Sequence, residues 1–309
     1  MADNENGHRI GWIGVGRMGL PLVTRLLDAG CDVAVYNRTR ERAEPLAARG
    51  AAIVDAPREL ADRDIVFTTV AGPGDFTAVM LDDDAGVLTD PAVAPQVLVD
   101  CSTISPEASA EVRAVAARRG ATLLAAPISG NGKHVAGGGA LFAVSGPEPQ
   151  MAIVRPYLEI LGRGAHYIGD TDSARLVKIA HNLFLAAVIQ SLVETSLLVE
   201  ANGISRRAYL DFLNDSPMGS AFSGYKTPAL VDLDWTPTFT STLLRKDLDL
   251  GLEAAREVAL NLPVTRAVRD QIQAAIDAGH ADEDFAALLA VQAEAAGIDL
   301  RPDARPNAG

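Results

Sequence analysis

Cysteine is nearly absent. Cys31 and Cys101 are the only two in 309 residues, too few for a disulfide framework and in keeping with a reducing compartment. Positive charge is in deficit: 27 Lys and Arg stand against 40 Asp and Glu, giving a net charge of −13 and a pI near 4.8. No global field therefore draws in DNA or an anionic membrane, and any phosphate must be held by local groups. The apolar run LFLAAVI at 183–189 is too short to span a bilayer, and Lys178, His181, Asn182 and Glu194 flank it. The opening MADNENGHR has no apolar stretch of a signal peptide. The histidines show no metal-ligand spacing, and there is no internal repeat or low-complexity tract. These absences lead to the expectation of a soluble cytoplasmic protein without nucleic acid, membrane or metal partners.

What is present is alternation. RIGWI, DVAVYN, AAIV, DIVFTTV, QVLVDCS and ATLLAA are short, nearly continuous apolar runs, the pattern of buried parallel strands. Amphipathic segments such as PLVTRLLDA and SPEASAEVRAVAARR separate them, with Ser105 and Pro106 suited to an N-cap and first turn. ALFAVSG after a glycine-rich loop and HYIG near residue 169 complete the strand series. Beyond it, residues 172–201 form one long apolar segment without Pro or Gly. SRRAYLDFLND, TSTLLRKDLDLGLEAAREVA, VTRAVRDQIQAAIDAG and EDFAALLAVQAEAAG follow, all helical by composition and period. The pattern predicts an α/β domain with a doubly wound parallel sheet over 1–169. An all-α domain over 170–300, entered by a long interdomain helix, is expected next, then a disordered tail over 301–309.

Gly14, Gly16 and Gly19 form GxGxxG directly after the first strand and at the start of the first helix. Gly14 allows the tight turn, Gly16 the approach of a pyrophosphate to backbone N–H groups, and Gly19 close helix–strand packing. Together with the βαβ unit around it, the turn points to a dinucleotide, with Arg17 and Met18 inside the cofactor-binding loop. The second strand then lacks an acid. An NAD-selective site places Asp or Glu at that strand end, on the ribose 2′-hydroxyl. This chain has Asn37, Arg38 and Thr39, followed by Arg40 and Arg42. A guanidinium can fork onto a 2′-phosphate that a carboxylate would repel, so NADP is favoured, with NAD possible.

Four ordered segments then carry a resemblance. IGWIGVGRMGLPLVTRLLDAG, DCSTISPE at 100–107, APISGNGKHVAGGGAL, and ARLVKIAHN followed by LLRKDLDL at 243–250 together resemble the β-hydroxyacid dehydrogenase family. This group is related to 6-phosphogluconate dehydrogenase and includes 3-hydroxyisobutyrate dehydrogenase and semialdehyde/glyoxylate reductases. The resemblance covers roughly residues 9–295 and implies hydride transfer between a nicotinamide and a hydroxyl-bearing carbon of a small anionic substrate. It implies Lys178 as the catalytic lysine, with Asn182 one helical turn on. Alcohol oxidation needs a base for the hydroxyl proton, and carbonyl reduction needs the proton returned. A lysine among Leu176, Val177, Ile179 and Ala180 is expected to be partly desolvated, which favours its neutral form. The resemblance places Ser129, Gly130 and Asn131 on the substrate carboxylate. It puts Val70, Ser102 and Thr103 near the cofactor, and Lys246 at cofactor or substrate. Apart from the resemblance, Lys246–Asp247 reads as a surface pair and the loop glycines as a flexible strand-to-strand turn.

The departures border the substrate pocket. The chain reads SGN where many relatives read SGG, carries Lys133 and His134 in that loop, and has His181-Asn182 in place of Asn-Asn. TTVAGP replaces the usual Met-Leu-Pro after the fourth strand. These changes bear on which anionic group is bound more than on the reaction. Imine reductases share the architecture but usually carry Asp or Tyr at the position of Lys178, so C=N reduction is the alternative. A non-catalytic cofactor-binding scaffold is the other, set against by the retained lysine. The largely apolar helical half implies a homodimer or homotetramer.

Overall fold

The computed structural model describes residues 7–303. Two compact units divide the chain, Met1–Lys178 and Ile179–Gly309. The division falls nine residues beyond the expected boundary at 169, because the long helix begins as part of the first unit.

Among the described residues, the first unit carries nine strands: β1 (Ile10–Ile13), β2 (Val33–Tyr36), β3 (Ala52–Ile53), β4 (Ile65–Thr68), β5 (Val97–Asp100), β6 (Thr122–Ala125), β7 (Ile128–Ser129), β8 (Leu141–Ser145) and β9 (Gly164–Gly169). Its helices are α1 (Gly19–Asp28), α2 (Glu44–Ala47), α3 (Pro73–Leu81), α4 (Pro106–Arg118), α5 (Gly132–Ala136) and α6 (Glu148–Leu161). The sheet order is β3-β2-β1-β4-β5-β6-β8-β7, with β9 on β8. β1 to β6 are parallel, as expected of a doubly wound sheet. The extension departs from that pattern, because β8 runs antiparallel to both β6 and β7. β1 sits between β2 and β4, so the strand order reverses there and opens a crevice at the carboxyl ends of the strands.

Local chemistry explains the elements. Residues i, i+2 of a strand share a face: Ile10 and Trp12 enter the same core cluster as Leu22, Val23 and Leu26 of α1. Ile13 joins Phe76 and Met80 of α3 on the other face. The buried residues of α1 are Gly19, Leu22, Val23 and Leu26, the i, i+3, i+4, i+7 stripe of a helix with one covered face. Ser105 caps α4, its hydroxyl accepting from Ala108 N–H at 3.4 Å.

The described residues of the second unit form helices joined by loops. α7 (Ser173–Ala201) crosses the division, followed by α8 (Arg206–Asp215), α9 (Ala221–Asp232), α10 (Ser241–Glu257), α11 (Pro263–Ala275) and α12 (Leu288–Ala295). The 29-residue α7 is the one helix among the described residues long and apolar enough to cross a membrane by length and composition. Its Ala186, Ile189, Val193 and Leu197 are buried in the core of this unit. α9 has no counterpart in the periodicity reading, since Gly224 and Pro228 make its sequence look like a loop. Ser220 and Ser223 cap each other across its first turn. Its Lys226 ammonium, 2% exposed, meets Asp284 at 2.6 Å and lies 4.1 Å above the Phe285 ring. Asp284 also accepts from the N–H and hydroxyl of Thr238. Of the tail expected to be disordered, residues 301–303 are tied down: Asp303 accepts from Ser205 Oγ and Arg207 N–H and donates its own N–H to Val231 O. The rest of that tail lies outside the described residues.

Candidate active site

The glycine turn is shaped by contacts that need no ligand at two positions and by open space at the third. Gly14 has φ +93°, and a Cβ there would strike the Thr69 carbonyl. A Cβ on Gly19 would overlap the Gly14 carbonyl oxygen. Gly16 has nothing within 4 Å of its Cβ position, so a side chain would fit and only an incoming group would need the room. α1 begins without a side-chain cap and without an acid in its first turn, leaving its N-terminal partial charge available to a phosphate. The turn therefore fits a pyrophosphate. Arg17 and Gly16 are exposed beside it, and Met18 is half-buried.

Asn37 braces this turn. Its Oδ1 accepts from Val15 N–H at 2.9 Å, while its Nδ2 donates to Thr39 O at 2.7 Å. Both ends of the amide are thus engaged by the protein, which makes Asn37 a positioning residue. Arg38 extends outward and pairs with Asp75 at 2.9 Å, and Arg40 pairs with Asp55. The acid missing from the end of β2 is thus brought there by α3.

Sequence reasoning missed the hub at the ends of β4 and β5. Asp100, fully buried, accepts from Thr68 Oγ1 at 2.6 Å, from Ser102 N–H at 3.1 Å and from Arg175 Nη1 at 2.6 Å. Arg175, also buried, donates from Nε to Asp172, and Arg113 grips the same carboxylate at 2.9 Å. Ser102 Oγ accepts the N–H of Val70 at 2.9 Å, joining two residues expected near the cofactor; Thr103 follows, half-buried. Asp100 stood in the quoted DCSTISPE and Arg175 in ARLVKIAHN. A lone Asp and a lone Arg 75 residues apart carry no signal of pairing. The same burial pushes the neighbouring Cys101 thiol well up, with Asp100 adding to the effect.

The presumed flexible loop contains a helix. Asn131 caps α5, its Oδ1 accepting from His134 N–H at 2.9 Å. A Cβ on Gly132 would lie 2.7 Å from Arg17 O, so this segment, with Ser129 and Gly130 just ahead of it, packs directly on the glycine turn. Two motifs more than a hundred positions apart in sequence are thereby neighbours. His134 lies over Gly139, where a Cβ would overlap the imidazole. The glycine run makes room for side chains.

On α7, Lys178 is half-buried, and its flanks differ from expectation. Ile179 is 3% exposed, but Leu176 is 56% and Val177 41% exposed, and Ala180 is exposed too. Of the four apolar neighbours, only Ile179 is buried. In the second unit, Asn182 is buried on the covered stripe of α7, donating its Nδ2 to Asp247 and contacting His181 Nδ1 at 3.0 Å through Oδ1. Lys246–Asp247 is accordingly no surface pair. Asp247 is 2% exposed, and the Lys246 ammonium lies 3.5 Å from its Oδ1. Nothing in the LRKDLDL pattern distinguished this buried acid from Asp249, which lies on the surface with Arg245 and Arg269. Among the described residues no group of three or more His, Cys, Asp or Glu could hold a metal.

Comparison with known proteins agrees with this architecture. Residues 9–169 match the NAD-binding domain of 6-phosphogluconate dehydrogenase. Residues 173–292 match the family described as NAD-binding of NADP-dependent 3-hydroxyisobutyrate dehydrogenase. The chain is 30% identical to the 3-hydroxyisobutyrate dehydrogenase of Pseudomonas aeruginosa, over 90% of this chain and 96% of that one. It is 27% identical to the chloroplastic glyoxylate/succinic semialdehyde reductase 2 of Arabidopsis thaliana, over 91% and 78%. The solved structure of Mycobacterium tuberculosis 3-hydroxyisobutyrate dehydrogenase with L-serine matches with a TM-score of 0.80 at 26% identity, over 92% and 99%. With both halves of the chain matched in this order, the chain belongs to the β-hydroxyacid dehydrogenase family of NAD(P)-dependent oxidoreductases.

Proposed function

We propose that the protein interconverts a small β-hydroxy acid and its carbonyl form, with NADP(H) preferred over NAD(H). The bound nicotinamide supplies or takes the hydride. Lys178 takes the hydroxyl proton in oxidation and returns it in reduction. Asn182, its amide oriented by Asp247, hydrogen-bonds the substrate. Ser129 Oγ and the N–H groups of Gly130 and Asn131 hold the acid group, the Asn131 side chain being already committed to capping α5. Lys246 adds positive charge. Ser102, Thr103 and Val70 line the nicotinamide side, and Arg38 faces the 2′-phosphate. The named relatives act on, or are solved with, small acids bearing a hydroxyl or carbonyl, which supports this substrate class.

The observation that carries the reading is the buried Asp100–Arg175 pair. Arg175 lies three positions before Lys178, so its bond to Asp100 anchors the start of the lysine's helix to the end of β5, next to Ser102. Phe184 and Leu198 of α7 and Phe212 of α8 are 72%, 65% and 72% exposed. Such apolar exposure supports a symmetric dimer or tetramer.

The test is Lys178. Lys178→Ala is expected to lower kcat by roughly 10²–10⁴-fold, the usual loss for a general acid–base group, with NADPH affinity by fluorescence little changed. Lys178→Arg is expected to fail as well, since a guanidinium does not release its proton near neutral pH. Near-full turnover by Lys178→Arg, or turnover of cyclic imines without any of a panel of hydroxy acids and semialdehydes, would overturn the assignment.

A further inference from the structure

The end of β2 lacks the acid that would mark a ribose 2′-hydroxyl, yet the fold brings one there from 37 positions away. Asp75 lies in the first turn of α3, directly after the β4 segment, and its Oδ1 receives Arg38 Nη1 at 2.9 Å. Arg38 is anchored from behind: Asn37 is fixed by Val15 and Thr39, so the Arg38 backbone leaves β2 in a defined place. The neighbouring charges cancel in the same way. Arg40 is paired with Asp55. The basic cluster read from the sequence as a phosphate site is therefore largely matched by acids before any cofactor arrives.

We propose that Asp75 is a cofactor-selectivity residue, whose carboxylate retains Arg38 when the 2′ position is a hydroxyl and competes for it with a 2′-phosphate. The inference rests on the reading that Arg38 faces the 2′ position. Its physical basis is charge. A 2′-phosphate must take the guanidinium from a carboxylate already in contact with it, and it meets that carboxylate's repulsion as well. NAD(H) has no such competition, because its 2′-hydroxyl can donate to an acid in that region. The site thus holds the base of an NADP enzyme and the acid of an NAD enzyme together, which predicts a chain that accepts both cofactors with a narrowed preference. The Arg38 side chain is 83% exposed and that of Asp75 37%, so the pair adds little to folding and its removal leaves a folded protein to measure.

The experiment is calorimetric binding of NADP⁺ and of NAD⁺ to the wild type, Asp75→Asn, Arg38→Ala and the double variant, at low and high salt. Asp75→Asn is expected to tighten NADP⁺ by about two- to fivefold, the scale of an exposed charge pair, and to weaken NAD⁺ modestly, because its 2′-hydroxyl loses a charged acceptor. Arg38→Ala is expected to weaken NADP⁺ and spare NAD⁺. In the Arg38→Ala background the gain from Asp75→Asn shrinks, and in the wild-type background it shrinks at high salt. NADP⁺ unchanged or weakened by Asp75→Asn, with Arg38→Ala still selective, would overturn the competition while leaving the Arg38 reading intact. Arg38→Ala affecting both cofactors equally, or neither, would remove that reading and the inference with it.

Discussion

Each compact unit buries an ion pair, and the two pairs serve different ends. In the first unit, Asp100 and Arg175 join the end of β5 to the start of α7, drawing in Thr68, Ser102, Asp172 and Arg113. Apart from Arg113 of α4, every partner lies on a segment that carries a candidate cofactor residue or leads to Lys178. In the second unit, Lys226 and Asp284 join α9 to the turn before Phe285 and to Thr238, and none of these residues belongs to a site motif. Buried charge is a poor source of stability in itself, because desolvation offsets most of the attraction. In the first unit it fixes the geometry of a site. In the second it holds a helix whose own sequence, with Gly224 and Pro228, is a weak helix former.

The comparison breaks most visibly when one partner is removed. Lys226→Met leaves a buried carboxylate alone and is expected to cost about 3–5 kcal/mol of unfolding free energy, with NADP⁺ affinity of the folded fraction unchanged. Arg175→Met is expected to cost a similar amount and also to lower kcat of the folded protein. Denaturant unfolding beside turnover separates the two, and equal effects of both variants on kcat would erase the distinction. Acid sharpens it further. Burial pushes Asp284 up, but the charge and hydrogen bond of Lys226, with Thr238 and Ala286, outweigh it and leave its pKa lowered. Between the folded and unfolded values the unfolded chain binds the extra proton. The contribution is therefore complete above the unfolded value of about 3.9 and is lost as pH falls through the folded one. Acid titration of stability should show this component in the wild type and not in Asp284→Asn.

A smaller contrast lies within the glycine turn. Gly19→Ala is expected to destabilise by about 1–3 kcal/mol through overpacking against Gly14 O. Gly16→Ala is expected to shift stability by under about 0.5 kcal/mol while weakening dinucleotide binding, because its Cβ would enter the open space. A Gly16→Ala protein that binds cofactor normally would show that the pyrophosphate does not approach there. Asn131→Ala is expected to cost about 1 kcal/mol by uncapping α5 and to raise KM for an acid-bearing substrate more than for a neutral analogue. Equal KM effects would detach α5 from the acid group.

How much was legible depends on the distance over which the information is written. The apolar runs of β1 to β6, the helix stripe of α1 and the Ser105 cap are encoded within a few residues, and all stand where the periodicity places them. α5 and α9 were not legible. Gly132 and the glycine run read as a loop until His134 and Arg17 are seen to fill the space the absent side chains leave, and α9 depends on a lysine buried against an acid 58 residues on. The same limit applies to Asp247, whose burial separates it from Asp249 only in three dimensions.

The sequence by itself determined the family, the alternating α/β half with its glycine turn, and the helical half that follows, because period, turn chemistry and motif order are local properties of the chain. Only the tertiary structure decided what each charge does. Arg38 is matched by Asp75, Arg175 by Asp100, and Asn182 is oriented by Asp247. The energy of a charge is set by its partner and its burial, and both are fixed by residues that the fold brings together from distant parts of the chain.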